Sequence, residues 1–198
     1  MRVVTKEEFE QEKRTFLQLM KESVFVYPTD SIYGIGCDAT NENLVARIRD
    51  LKQSMTQPFS VIVPNKEWVY EHCVVNEHAR QWVDQLGSLM IIDGRPRAVS
   101  LILPLKNPRA IAPNVTQGKD TLSVRLPDHW FSDIVKELGV PIITTSANPT
   151  GGEFMTALEN LHPRIRSGIS FCVYEGEKIG SPSTLIHLYG DEIKIHAR

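Results

Sequence analysis

Phe9, Phe16, Leu17 and Met20 share one face of a helical projection, and Thr5 followed by Glu8 forms a capping box ahead of them. This spacing predicts a first helix from about Lys6 to Lys21. An apolar run at residues 24–27 then reads as a strand that stops at Pro28. Leu44, Ile48 and Leu51 predict a second helix ending near Lys52. Ala79, Trp82, Val83 and Leu86 predict a third, opened by Asn76 and stopped by Gly87. Trp130, Phe131, Ile134, Val135 and Leu138 predict a fourth, closed by Gly139. Strands are expected at residues 59–63, 99–103, 121–126, 142–145, 171–174, 185–188 and 193–196. Such interleaving predicts an α/β fold with helices packed on a sheet. Residues 107–119, with two prolines and a glycine, are expected to form a mobile surface loop.

Composition narrows the class. The chain has 198 residues, 41% hydrophobic and 23% charged, which suits one globular domain with a sizeable core. A formal net charge of −2 supplies no global field for nucleic acid, so an RNA contact needs a local basic patch. Cys37, Cys73 and Cys172 lie far apart without a C-x-x-C, as expected of reduced thiols. The first residues turn charged at once, and no run approaches the ~20 apolar residues of a membrane span. A cytoplasmic protein that does not enter the membrane is expected.

The chemistry concentrates in a few segments. Tyr27-Pro28-Thr29-Asp30-Ser31-Ile32-Tyr33-Gly34-Ile35-Gly36-Cys37-Asp38-Ala39 sets small hydroxyls and glycines at the end of a strand, where backbone can approach a ligand closely. Gly34-x-Gly36-x-x-Ala39 matches a relaxed dinucleotide fingerprint, but it lies too far past the strand break and Asp50 follows too soon. No P-loop, G-x-S-x-G or H-E-x-x-H is present, and the six histidines show no metal spacing, so no protein-held metal is predicted.

Thr121, Ser123 and Arg125 share one face of a strand, either as an ordinary polar surface or as a grip on a carboxylate or phosphate. Thr144, Ser146 and Asn148 alternate at the end of an apolar run, where they could cap a turn or meet a ligand. Lys52 sits at a helix end, which a solvated lysine also favours.

With Pro182-Ser183-Thr184, these segments resemble, in order and spacing, the YrdC-like family, the L-threonylcarbamoyladenylate synthases of tRNA modification. The resemblance runs from about Val24 to the C-terminus. It implies a twisted mixed β-sheet with surrounding helices around a basic concave cavity, in a single domain over residues 1–198 without the family's additional C-terminal domain. It also implies a nucleotidyltransferase that makes threonylcarbamoyl-AMP and pyrophosphate from L-threonine, bicarbonate and ATP, with Mg²⁺ accompanying ATP. Lys52 and Arg125 take the catalytic positions. Thr29, Ser31, Tyr33, Arg125, Thr144 and Ser183 take the threonine side, and Lys52, Thr121, Ser146, Asn148 and Arg198 the ATP side. The expected partners are a downstream tRNA-modifying transferase and, by direct contact, tRNA.

Several positions depart from the family pattern. Lys52-Gln53-Ser54 replaces K-x-R, removing a cation from the triphosphate side, and the segment to Pro58 is one residue shorter. Ile62 stands where a histidine is usual, Phe154 where a small hydroxyl is usual, and Pro96-Arg97-Ala98 where Pro-Gly-Pro is usual. Either Arg95 or Arg97 supplies the lost charge, or the chain is a non-catalytic RNA- or nucleotide-binding paralogue. Acyl-phosphate or carbamoyl transfer to another substrate is a third option.

Overall fold

The computed structural model describes residues 1–190 and 192–197. β1 (Arg2–Val4) leads into α1 (Lys6–Gln11) and α2 (Lys13–Glu22), then β2 (Phe25–Tyr27) and β3 (Gly34–Gly36). Next come α3 (Glu42–Lys52), β4 (Ser60–Ile62), α4 (Lys66–His72) and α5 (Glu77–Val83). A small hairpin, β5 (Met90–Ile92) with β6 (Arg95–Arg97), precedes β7 (Val99–Pro104), α6 (Pro113–Thr116) and β8 (Thr121–Arg125). The remaining elements are α7 (Phe131–Leu138), β9 (Ile142–Ser146), α8 (Pro163–Gly168), β10 (Phe171–Val173), β11 (Thr184–His187) and β12 (Lys194–His196).

Ten strands join one mixed sheet in the order β1-β10-β2-β3-β9-β4-β8-β7-β11-β12. β4 runs parallel to β8 and β7 parallel to β11, while β9 is antiparallel to both β3 and β4. The fold is therefore the expected mixed sheet with surrounding helices. The close meeting of β2, β3 and β9 requires glycine at position 36. A Cβ there would lie 2.4 Å from the Ile143 carbonyl oxygen.

Strand alternation sends the two faces of this sheet to different tasks. Val61, Leu101, Leu122, Val124, Ile143 and Ile186 enter one large core, shared with Val45 and Ile48 of α3. On the opposite face, Phe25, Tyr27, Ile62, Ile142 and Phe171 pack against Phe9, Phe16, Phe131 and Val135 of α1, α2 and α7. Those helices cover only part of that face. The uncovered part carries Ser60, Ser100, Arg125, Thr144 and Ser146, and there the functional cavity opens.

Three sequence expectations change. The first helix is broken at Glu12, whose carboxylate pairs with Arg2 of the edge strand. The capping box of Thr5 and Glu8 forms as expected. The third helix ends at Val83, four residues before Gly87, where the chain turns with a φ of 90°. Residues 107–119 are not a free surface loop. Ile111, Ala112 and Val115 are buried, and the Arg49 guanidinium gathers the Asn114 and Val115 carbonyls. Among the described residues, no helix is long and apolar enough to cross a membrane.

Candidate functional site

The uncovered sheet face bounds a cavity of 430 Å³ lined by Thr29, Tyr33, Ser60, Ser100, Arg125, Thr144, Ser146 and Ser183, with an apolar share from Ile32, Pro58, Phe154 and Pro182. Among the described lining residues, Arg125 alone carries a charge. Its side chain is 6% exposed and pairs with Asp30, itself 8% exposed. The second Asp30 oxygen accepts from the Asp128 backbone N–H at 3.0 Å, tying the β2–β3 loop to the end of β8.

Arg125 Nη2 also donates to Ser31 Oγ at 3.0 Å, while Nε is buried without a partner. A buried N–H lacking an acceptor is uncommon in native proteins and marks a place where a ligand can supply one.

The loop hydroxyls are oriented by this network. Thr29 Oγ1 donates to the Ile32 carbonyl at 2.7 Å, so its one proton is committed. Ser31 Oγ, 3.1 Å from Thr29 Oγ1, is therefore the donor of that pair and the acceptor from Arg125. Other lining hydroxyls pair across strands. Ser60 donates to Ser123 at 2.8 Å, and Ser100 lies 2.8 Å from Ser183.

A strap over residues 174–183, between β10 and β11, closes one side. Tyr33 is its peg: the hydroxyl donates to the Gly176 carbonyl at 2.7 Å and accepts from the Glu175 N–H at 3.0 Å. Burial raises the Tyr33 pKa, so the phenol stays neutral. Gly180 lies so close to Ser31 that a Cβ would sit 2.2 Å from its carbonyl oxygen. Glu175 receives His129 Nε2, Trp130 Nε1 and Lys178 Nζ at 2.6 to 2.8 Å. Burial works against its charge, yet these donors prevail and hold its carboxyl below the usual range.

Lys52 stands behind the wall, 4% exposed. Its Nζ donates to the carbonyls of Ser146 and Asn148, each at 2.6 Å, which fixes the turn after β9. Burial lowers its pKa to about 8. Asn148 continues the bracing, donating to the Pro149 and Gly152 carbonyls at 3.0 and 2.6 Å while its Oδ1 stays unpartnered.

The structure thus brings Thr29, Tyr33, Arg125, Thr144, Ser146 and Ser183 to one cavity, with Ser31 beside Arg125 and Lys52 and Asn148 supporting the rim. Thr121 lies at the far end of β8, opposite Pro104, and does not line the cavity. Arg198 lies outside the described residues.

Sequence reasoning missed Asp30, Ser60 and Ser100. Asp30 sits between Thr29 and Ser31 in the sequence, whereas Ser60 and Ser100 are lone hydroxyls in apolar runs and give no signal. Ser54 is buried with both backbone groups engaged by Arg49, at 2.9 and 3.0 Å. Neither Arg95 nor Arg97, on the small hairpin, lines the cavity. Ile62 lies under α7 in the second core.

A mixed sheet holding one buried arginine among strand hydroxyls defines an α/β domain whose cavity is polar and carries a single charged side chain among the described residues. The Sua5/YciO/YrdC family model, described as telomere recombination, matches residues 18–198, and the chain belongs to that family. A relative from Methanocaldococcus jannaschii is 29% identical over 194 residues, 93% of this chain and 86% of that one. The threonylcarbamoyl-AMP synthase of Bacillus subtilis is 29% identical over 176 residues, 87% of this chain and 49% of that one. Among solved structures, P. abyssi Sua5 complexed with L-threonine aligns with a TM-score of 0.82 at 25% identity, over 98% of this chain and 56% of that one. The chain therefore spans about half the length of the last two proteins.

Proposed function

We propose that the chain is an L-threonylcarbamoyladenylate synthase, a cytoplasmic nucleotidyltransferase acting on L-threonine, bicarbonate and ATP. The observation that carries this reading is Arg125, a buried guanidinium with an unpartnered Nε, set among hydroxyls in a small cavity. Such a group suits a substrate carboxylate. The name of the Bacillus subtilis relative and the threonine in the P. abyssi structure support the substrate class.

The chemistry is a displacement that needs positioning and charge neutralisation more than a covalent nucleophile. The threonine amine attacks the carbon of carbon dioxide and loses a proton, or that of bicarbonate with loss of water, to give a carbamate. A carbamate oxygen then attacks the α-phosphorus of ATP, the bond to the bridging oxygen breaks, and pyrophosphate leaves. Arg125 holds the threonine carboxylate. Thr144 and Ser183 meet the threonine side chain, and a site built to hydrogen-bond that hydroxyl rejects analogues lacking it.

Ser146 and the turn braced by Lys52 and Asn148 receive the nucleotide. Mg²⁺ would arrive with ATP, held by the nucleotide phosphates and water, and would supply charge neutralisation for the leaving pyrophosphate. The product would pass to a separate transferase acting on tRNA.

A competing reading, a non-catalytic nucleotide-binding module, is favoured by one observation. Lys52 and Arg49 both spend their charge on backbone carbonyls, leaving the triphosphate side poor in cations.

Ligands that bind only the folded state raise its stability by RT ln(1 + [L]/Kd). Mg-ATP with L-threonine should raise the melting temperature above Mg-ATP alone, and L-serine should raise it less. Equal shifts with and without threonine would favour the binding module.

A further inference from the structure

Phe154 has no part in the scheme above, yet it lines the same cavity. It is also the aromatic there that remains open, at 40% exposed. Tyr33, the other aromatic in the lining, is fully buried with its hydroxyl committed to the strap. The backbone on both sides of Phe154 is anchored. Asn148 pins the preceding turn at Gly152, Met155 is buried, and the Thr156 carbonyl accepts from the Lys178 N–H at 2.9 Å. A fixed backbone thus presents an exposed aromatic ring to a cavity whose other walls are largely hydroxyls.

Exposing such a ring to water is unfavourable. A flat apolar ligand surface would cover it, and a nucleobase is one. Base–aromatic stacking is sequence-tolerant but strengthens with the size of the π face, so it favours purines over pyrimidines. Threonine offers only a methyl group.

We propose that Phe154 stacks on the adenine base of the bound nucleotide and sets a preference for purine nucleotides. The inference rests on the nucleotide lying beside Ser146 and Asn148, as proposed above. Phe154 lines the cavity together with Ser146, and it follows the turn that Asn148 pins at Gly152.

Two variants test it. Phe154→Leu keeps apolar bulk without a π face. It should raise the KM for ATP roughly tenfold or more, the scale of one lost base–aromatic stack, and leave the KM for L-threonine unchanged. Its discrimination between ATP and CTP should narrow. Phe154→Trp places a reporter on the stack. Its emission, corrected for the native tryptophans, should be quenched by ATP and unaffected by L-threonine alone.

The fluorescence readout needs no turnover, so it reports the stack separately from catalysis. Quenching by ATP in a protein that releases no pyrophosphate would leave the stack standing and remove the synthase. An emission indifferent to ATP, or a Phe154→Leu effect falling on threonine instead, would overturn the stack while wild-type turnover kept the synthase.

Discussion

Arg125→Ala is expected to raise the L-threonine concentration for half-maximal pyrophosphate release by about ten- to hundredfold, with the ATP requirement changed less than about twofold. Each hydrogen bond to a charged group contributes on the order of 1.5–3 kcal/mol, and Arg125 Nε is the donor left open while Nη2 is held by Asp30 and Ser31. The same substitution should also destabilise the fold. It strands Asp30, a carboxylate 8% exposed, with only the Asp128 N–H as partner. Removing one member of a buried ion pair costs about 3–5 kcal/mol.

The double variant Asp30→Asn with Arg125→Ala separates these effects. It should recover most of the lost stability in urea denaturation and none of the threonine affinity. Recovery of both, or an Arg125→Ala effect shared equally by ATP and threonine, would assign Arg125 to scaffolding.

Lys52→Ala should do the reverse, raising the ATP requirement about ten- to hundredfold while threonine is little affected. Two routes lead there. A direct ammonium–phosphate contact would penalise ATP far more than AMP. Loss of the braced turn at Ser146 and Asn148, each carbonyl 2.6 Å from Nζ, would penalise both nucleotides alike. The geometry favours the second, because two of the three ammonium protons are already committed.

Lys52 also predicts a pH dependence. Burial lowers its pKa from 10.5 to about 8, so the ammonium predominates below that value and is lost above it. ATP affinity should therefore fall as pH rises through about 8, and Lys52→Met should lack that inflection.

Much of this site was legible because strand alternation has a period of two. Thr144, Ser146 and the Ser123–Arg125 face announced themselves, since each apolar neighbour points to the large core. Helix ends marked by Thr5, Asn76 and Gly139 were equally readable, and the structure finds them capped as local chemistry dictates.

What stayed hidden depends on register between distant segments. Ser60 meets Ser123 only because β4 runs parallel to β8, and Ser100 meets Ser183 through the β7–β11 pair. Residues 107–119 looked like a surface loop by composition. Nothing local reveals that Arg49, 65 positions from Asn114, draws the segment inward through its carbonyls. Lys52 stands out in the sequence at its helix end, but its commitment to two backbone oxygens emerges only from the turn that follows β9.

Pyrophosphate release should be measured with L-threonine, bicarbonate and ATP omitted in turn. A synthase releases it only when all three are present with Mg²⁺, and loses it in Arg125→Ala at threonine concentrations that saturate the wild type. Release from ATP without threonine, or nucleotide binding with no release under any combination, would rule out the synthase.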